Sequence, residues 1–335
     1  MGIISRSGYA GRKMLSSAAV HILPRLPYQL YNLGFSGRLI IEPTNICNLK
    51  CPLCPTAHHM LRERGTLSLD NFKYIVDQVA PLTSAIYMNF AGEPLLNKEI
   101  FKMAHYAEGK GIQTMISTNT TILDRYLDEI FQSRISRITV CLDGASQKTH
   151  ESYRIGSDFE KIKENIRLLC REKKEGKFTR PQVTLQFVVM KHNEHEISAI
   201  VELARSLGVD NLNLKTVSLG SWVSLEKRVQ LAKQWLPEEE EYRRYRIEKE
   251  IPEIKAKPRL CGWIRQSVIL WNGDVTMCCY DFNGELVVGN IFKEPFQKIW
   301  NSIQYKKIRR AVVRKELELC QKCTAPLEYG KIIKF

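Results

Sequence analysis

The stretch Cys47-Asn48-Leu49-Lys50-Cys51-Pro52-Leu53-Cys54 sets three thiols in eight residues. It closely follows Arg38-Leu39-Ile40-Ile41-Glu42, a short apolar run that reads as a buried strand. The chain beyond keeps a strand–helix rhythm. Residues 68–80 read as a helix capped by Ser68, with Asp70 in its first turn. Strand-like runs follow at 85–90, 112–117, 135–142, 183–189 and 211–217. Helical patterns separate them at 97–108, 123–132, 159–171 and 194–206, with Asn97 as a cap and Gly208 as a stop. Six strands alternating with helices predict parallel βα units in an α/β fold. A closed eight-unit barrel needs ~250 residues and only about 180 are available, so a partial (βα)6 TIM-like barrel or an open sheet is expected. Chemistry then belongs at the C-terminal strand ends, where the three thiols lie.

Residues 237–258 break the pattern. Pro237 leads into Glu238-Glu239-Glu240-Glu241 and mixed charge up to Pro258, which reads as a charged helix and linker. Beyond it, Asn272-Gly273 between two apolar runs predicts a hairpin, and residues 296–315 read as one or two basic helices. The expected organisation is an N-terminal arm (1–37), the barrel (38–236), a charged linker (237–258) and a small C-terminal domain (259–335). The first 38 residues carry Arg6, Arg12, Lys13, Arg25 and Arg38 and no acid. His21 and the Pro24-Arg25-Leu26-Pro27 run fit a signal-peptide cleavage site poorly, and Arg6 stands where a myristoylation signal wants Ser or Thr. A basic amphipathic arm is the better reading, packed on the core or touching an anionic membrane or partner.

The composition, 44% apolar and 26% charged over 335 residues, excludes a collagenous, coiled-coil or wholly disordered chain. No run of about 18 apolar residues exists to span a membrane. Fifty Lys and Arg against 36 Asp and Glu give +14, a surplus that suits an anionic partner. Most of the ten cysteines fall at 47–54 and 261–323. In a chain long enough to build its own core, such grouping points to metal rather than disulfides. Three soft thiolates suit an iron–sulfur cluster with one iron left open; His58 or His59 would instead close a zinc site. Cys141 and Cys170 fall inside elements and read as small core residues.

The CxxxCxxC pattern after the first strand of a partial barrel resembles the radical SAM superfamily. Gly92-Glu93-Pro94 is similar to that family's GGE-type motif, with Ala91 in place of its first glycine. The resemblance implies that this strand end binds the amino group of S-adenosylmethionine (SAM). It places Ser117 and Asn119 near the SAM ribose or carboxylate, and Asp143-Gly144 followed by Tyr153-Arg154 resembles the SPASM-type subgroup, with Arg154 pairing the SAM carboxylate. Cys47, Cys51 and Cys54 would hold a [4Fe–4S] cluster whose open iron chelates SAM. Reductive cleavage would give a 5′-deoxyadenosyl radical that abstracts hydrogen from an unactivated C–H.

Cys261, then Gly273-x4-Cys278, then Cys320-Gln321-Lys322-Cys323 resemble the first half of a SPASM or twitch domain. They imply one auxiliary [4Fe–4S] cluster on Cys261, Cys278, Cys320 and Cys323, with Cys279 the rival of Cys278 and a zinc ribbon the alternative. No cysteine follows Cys323 to build a second auxiliary cluster. The expected activity is that of an oxidoreductase-type enzyme acting on a small anionic metabolite in the cytoplasm, with flavodoxin or ferredoxin as electron donor. Peptide modification is the rival enzyme reading. A zinc-binding nucleic-acid module is the non-enzymatic one, and the aromatic–basic motifs of RNA platforms are not evident. Candidate substrate-side residues are Asn89, Gln186, Lys191, His192, Lys215 and Trp222; Lys191, His192 and Lys215 are the candidate catalytic groups.

Overall fold

A computed structural model describes residues 35–335. The expected arm at 1–37 therefore lies outside the described residues except for its last three. Six strands, β1 (Arg38–Ile41), β2 (Ala85–Tyr87), β3 (Gln113–Thr118), β4 (Arg137–Cys141), β5 (Gln182–Val189) and β6 (Asn211–Thr216), run parallel in chain order in one sheet. Helices Leu69–Val79, Ile100–Gly109, Leu127–Ser133, Phe159–Glu175 and Ile197–Leu207 connect them. The fold is the expected α/β arrangement of a partial barrel.

Strand β5 shows how sequence sets the two faces. Val183, Leu185, Phe187 and Val189 are fully buried against the helices, while Thr184, Gln186 and Val188 on the alternate face are only partly buried. Burying each of the first set contributes roughly 1.5–3 kcal/mol. The second set leaves a partly open inner face. Helix ends follow their caps: Ser68 Oγ accepts the Asn71 amide at 3.2 Å, and Asp158 Oδ1 that of Lys161 at 3.0 Å.

The C-terminal part extends both edges of this sheet. The predicted hairpin forms as β7 (Ser267–Ile269) and β8 (Asp274–Thr276), with Gly273 at φ +85° in its turn. Strand β7 lies parallel to β1. At the other edge, Gly330–Lys334 pairs antiparallel with β6, a strand not foreseen in the basic tail. The added strands move the open edges of the sheet from β1 and β6 to the short Gly289–Asn290 and Gly330–Lys334 segments.

Residues 237–258 contain no α-helix, contrary to expectation. They form a 3-10 turn (Glu240–Tyr242) and an antiparallel hairpin, Tyr245–Glu248 with Ile251–Ile254. Tyr245 is fully buried, and its hydroxyl accepts the Leu219 amide at 2.9 Å, so this segment is packed against the barrel. Two further helices were not foreseen, Gln147–Tyr153 and Leu225–Trp235. Asn97 precedes its helix instead of capping it: its amide nitrogen ties Pro43 and Leu67 carbonyls at 3.0 and 2.9 Å, pinning the loop after β1. No helix among the described residues is long and apolar enough to cross a membrane.

Candidate active site

Pro55 opens the short helix Pro55–His58 directly after the Cys47–Cys54 loop, and backbone contacts from neighbouring segments hold that loop. Lys50 N–H donates to the Ile155 carbonyl at 3.0 Å, and Glu93 N–H to that of Ile46 at 2.8 Å. Gly92 sits directly against the loop at φ +76°, where a Cβ would lie 2.5 Å from the Thr44 carbonyl oxygen and 2.7 Å from that of Ile46. Only glycine allows both that backbone and that approach.

Glu93 is 2% exposed, and its carboxylate accepts from Thr118 Oγ1 (2.7 Å), the Asn119 amide (2.7 Å) and the Leu95 amide (3.0 Å). It braces the end of β2 to the end of β3. Burial pushes its pKa up, opposed by those donors. Pro94 starts the short 3-10 turn that follows. Asn119 turns its side chain back to the cysteine loop, donating to Asn48 Oδ1 at 2.8 Å and lying 3.9 Å from Cys47 Sγ. Arg154 closes the opposite side. Its Nε and Nη2 each lie 2.6 Å from Asp143 Oδ2, and Nη1 lies 4.0 Å from Cys51 Sγ. Asp143 is fully buried at the end of β4, and its other oxygen accepts the Val188 amide at 2.7 Å. Ends of β1, β2, β3 and β4 thus converge on one loop of thiols.

The second cysteine group converges as well. Burial, followed by the nearness of Cys278, Cys323 and Cys320, pushes the Cys261 thiol up to about 12. Burial also raises Cys320 to about 11, with Cys278 and Cys323 beside it. Cys278 is held low by a hydrogen bond from Cys279, whose own thiol is driven up by that contact and by burial. Backbone amides two residues on lie 3.4 Å from the sulfurs of Cys47, Cys278 and Cys323. No three His, Cys, Asp or Glu side chains among the described residues are gathered tightly enough for a single metal ion.

The two cysteine regions are stapled together. Arg62 spans the fully buried Glu42 at 2.6 and 2.9 Å and the Phe282 carbonyl at 2.7 Å. Asn283 exchanges bonds with Leu61 N–H (2.9 Å) and the His59 carbonyl (3.1 Å). A cavity of about 400 Å³ opens between these loops, walled by Pro55, His58, Trp222, Tyr280, Phe282 and Lys322. Another cavity, about 630 Å³, takes no residue from either cysteine group and lies along β6, residues 240–256 and residues 326–331.

The family model of the Radical SAM superfamily matches residues 41–204, and that of the SPASM iron–sulfur cluster-binding domain matches 261–324. Together they span more than half of the chain. This chain is a radical SAM protein with a C-terminal SPASM domain. Two curated relatives come from Methanosarcina barkeri. AdoMet-dependent heme synthase is 25% identical over 80% of this chain and 83% of its own. Fe-coproporphyrin III synthase is 24% identical over 89% and 84%. Streptococcus suis SuiB bound to S-adenosylmethionine shares the fold at TM-score 0.61 and 17% identity, covering 92% of this chain and 75% of SuiB. SAM and [4Fe–4S] clusters are the cofactors of this radical SAM/SPASM architecture.

Within this radical SAM fold, two of the expected substrate-side residues, Gln186 and Lys215, meet, and Ser117 and Cys141 extend the contact. Ser117 Oγ lies 3.4 Å from Cys141 Sγ, Gln186 Nε2 3.7 Å from the same sulfur, and Lys215 Nζ 3.4 Å from Gln186 Oε1. They form a polar row across the inner faces of β3, β4, β5 and β6. Cys141 is buried but belongs to this row, whereas Cys170 joins the helix-side core. Trp222 joins Phe282 (5.2 Å between ring centroids) and Tyr280 (6.4 Å), and Phe282 stacks on Phe90 at 5.0 Å. Asn89 is half-buried past the end of β2. Two candidates stand elsewhere. Lys191 pairs with Glu238 at 3.2 Å on the surface, because the packed hairpin segment brings that glutamate over it. His192 packs on Trp235 and Tyr153, with ring centroids 5.4 and 6.1 Å away, because the unforeseen helix Leu225–Trp235 covers it.

Sequence reasoning missed the Arg62–Glu42 staple and Asp143 as Arg154's partner. The only advance signal was a charged residue at each strand end.

Proposed function

We propose that Cys47, Cys51 and Cys54 hold the SAM-binding [4Fe–4S] cluster, and that Cys261, Cys278, Cys320 and Cys323 hold one auxiliary [4Fe–4S] cluster. The observation that carries the reading is the convergence of Asn119 and Arg154 on Cys47 and Cys51. The Cys47 and Cys51 thiols fit such a group: burial penalises their ionised forms, and a cationic iron centre removes that penalty. The amides that reach three of the sulfurs stabilise the thiolate form further. Cys278 is preferred over Cys279 because it neighbours both Cys320 and Cys323 and receives the Cys279 hydrogen bond.

When bound, cluster and SAM together supply a 5′-deoxyadenosyl radical able to take hydrogen from an unactivated C–H. The chain's residues position and enclose that chemistry. Gly92 lets the β2 end approach the loop, while Glu93, Pro94, Ser117, Asn119 and Arg154 frame the SAM pocket. Glu93 acts there as a brace and Arg154 as a cation already paired with Asp143. The substrate lies on the inner face between the two cysteine groups, near Gln186, Lys215 and Trp222.

The favoured reaction is oxidation of an alcohol carbon or a related redox rearrangement of a small anionic metabolite. Such an oxidation removes a hydrogen atom, an electron and a proton; the auxiliary cluster would accept the electron. Flavodoxin or ferredoxin is the proposed donor and the cytoplasm the proposed location. The net +14 suits an acidic donor. The names of the two relatives, synthases of heme and Fe-coproporphyrin III, support a small-molecule substrate. Peptide modification is the second reading, because SuiB is also known bound to precursor peptide SuiA. Metal analysis of the anaerobically reconstituted protein tests the cofactor assignment: about eight iron and eight sulfide per chain are expected, and zinc in their place refutes it.

A further inference from the structure

Lys215 is the last residue of strand β6 on the inner face. Its neighbours Leu214 and Thr216 point to the other side and are buried, whereas Lys215 retains some open surface. The ammonium is enclosed yet makes a single long hydrogen bond, 3.4 Å to Gln186 Oε1. Among the described residues it has no ion pair. The other charged pair near it is self-contained, since Arg154 is met by Asp143 at 2.6 Å. Arg244, close behind, adds another buried cation, held by the Thr216 and Thr324 carbonyls and the Thr216 hydroxyl. Burial, then Arg244, lowers the Lys215 pKa. A desolvated cation without an anion destabilises a fold. One kept beside an open inner face has a charge to meet there.

The geometry points to Lys215 as the anchor of a carboxylate on the substrate, with Gln186 beside it as a second polar contact. With the Arg244 guanidinium taken up by protein oxygens, Lys215 alone offers a cation to the open face, which suits a singly charged carboxylate. Cys141 and Ser117 continue the row towards the first cysteine loop, so a substrate held at Lys215 extends towards the SAM pocket. This inference rests on the anionic-substrate reading above, but its test is separate: SAM cleavage without substrate reports on the first site and not on Lys215.

The test uses the reconstituted full chain, wild type, Lys215→Met and Lys215→Arg. Melting is followed with acetate as the probe, against chloride at equal ionic strength, and SAM affinity is measured by calorimetry. The expected result is a rise in Tm with acetate in wild type and Lys215→Arg. Lys215→Met should lose that response, start from a Tm at least as high as wild type, and bind SAM within about twofold. An acetate response absent from wild type or intact in Lys215→Met overturns the proposal. So does a tenfold loss of SAM affinity in Lys215→Met, which would assign the lysine to the SAM carboxylate.

Discussion

Arg154 serves two partners of different chemistry, the Asp143 carboxylate and the Cys51 sulfur. Replacing it by alanine leaves Asp143 charged and fully buried with no cation. Such a loss costs about 3–5 kcal/mol, so Arg154→Ala should lower the urea midpoint sharply; an unchanged midpoint would mean the pair is solvated. His150 offers a pH test at the same scale. Its Nδ1 accepts the Asp143 amide at 3.1 Å, and burial depresses its pKa to about 4. The unfolded imidazole protonates near 6.5, so between those values the unfolded state binds more protons. Stability should therefore fall as pH drops, by about 2 kcal/mol between about pH 7 and pH 5. His150→Gln, which keeps an acceptor without titrating, should flatten that slope in urea titrations.

At the scale of elements, the loop after β1 depends on its contact with Gly92. A Cβ there collides with backbone rather than with a yielding side chain. Gly92→Ala should cut iron content to about half, losing the first cluster and keeping the second; full iron content in that variant would show that the loop tolerates displacement. The repeating βα units were legible because their periodicity is local: β5 alternates cleanly and Ser68 and Asp158 cap their helices. Helix Gln147–Tyr153 was not, because its residues are mostly polar and show no apolar period; only Ser146 marks its start. The hairpin at 245–254 hid within a charge-rich run, where Arg244 and Tyr245 were the large side chains to be buried. The tail strand Gly330–Lys334 owes its conformation to β6, more than a hundred residues earlier.

Across the whole molecule, the cysteine spacing made both candidate sites readable: three thiols fall within eight residues at the first, and the second keeps the Gly273-x4-Cys278 and Cys320-x2-Cys323 spacings. What joins them was not readable. The Arg62–Phe282 bond, the Asn283 contacts and the pairing of β1 with Ser267–Ile269 all link segments over two hundred residues apart. Arg62→Ala should destabilise by about 3–5 kcal/mol, since Glu42 is fully buried. It should also let the SPASM part unfold at lower denaturant than the barrel; one unaltered transition would show that the staple does not couple them.

The most direct test of the account is anaerobic reconstitution followed by SAM and dithionite. Wild type should release 5′-deoxyadenosine, and Cys51→Ala should release none while retaining the iron of the auxiliary site. Continued 5′-deoxyadenosine formation by the Cys51→Ala variant, or by a triple variant lacking Cys47, Cys51 and Cys54, would contradict it.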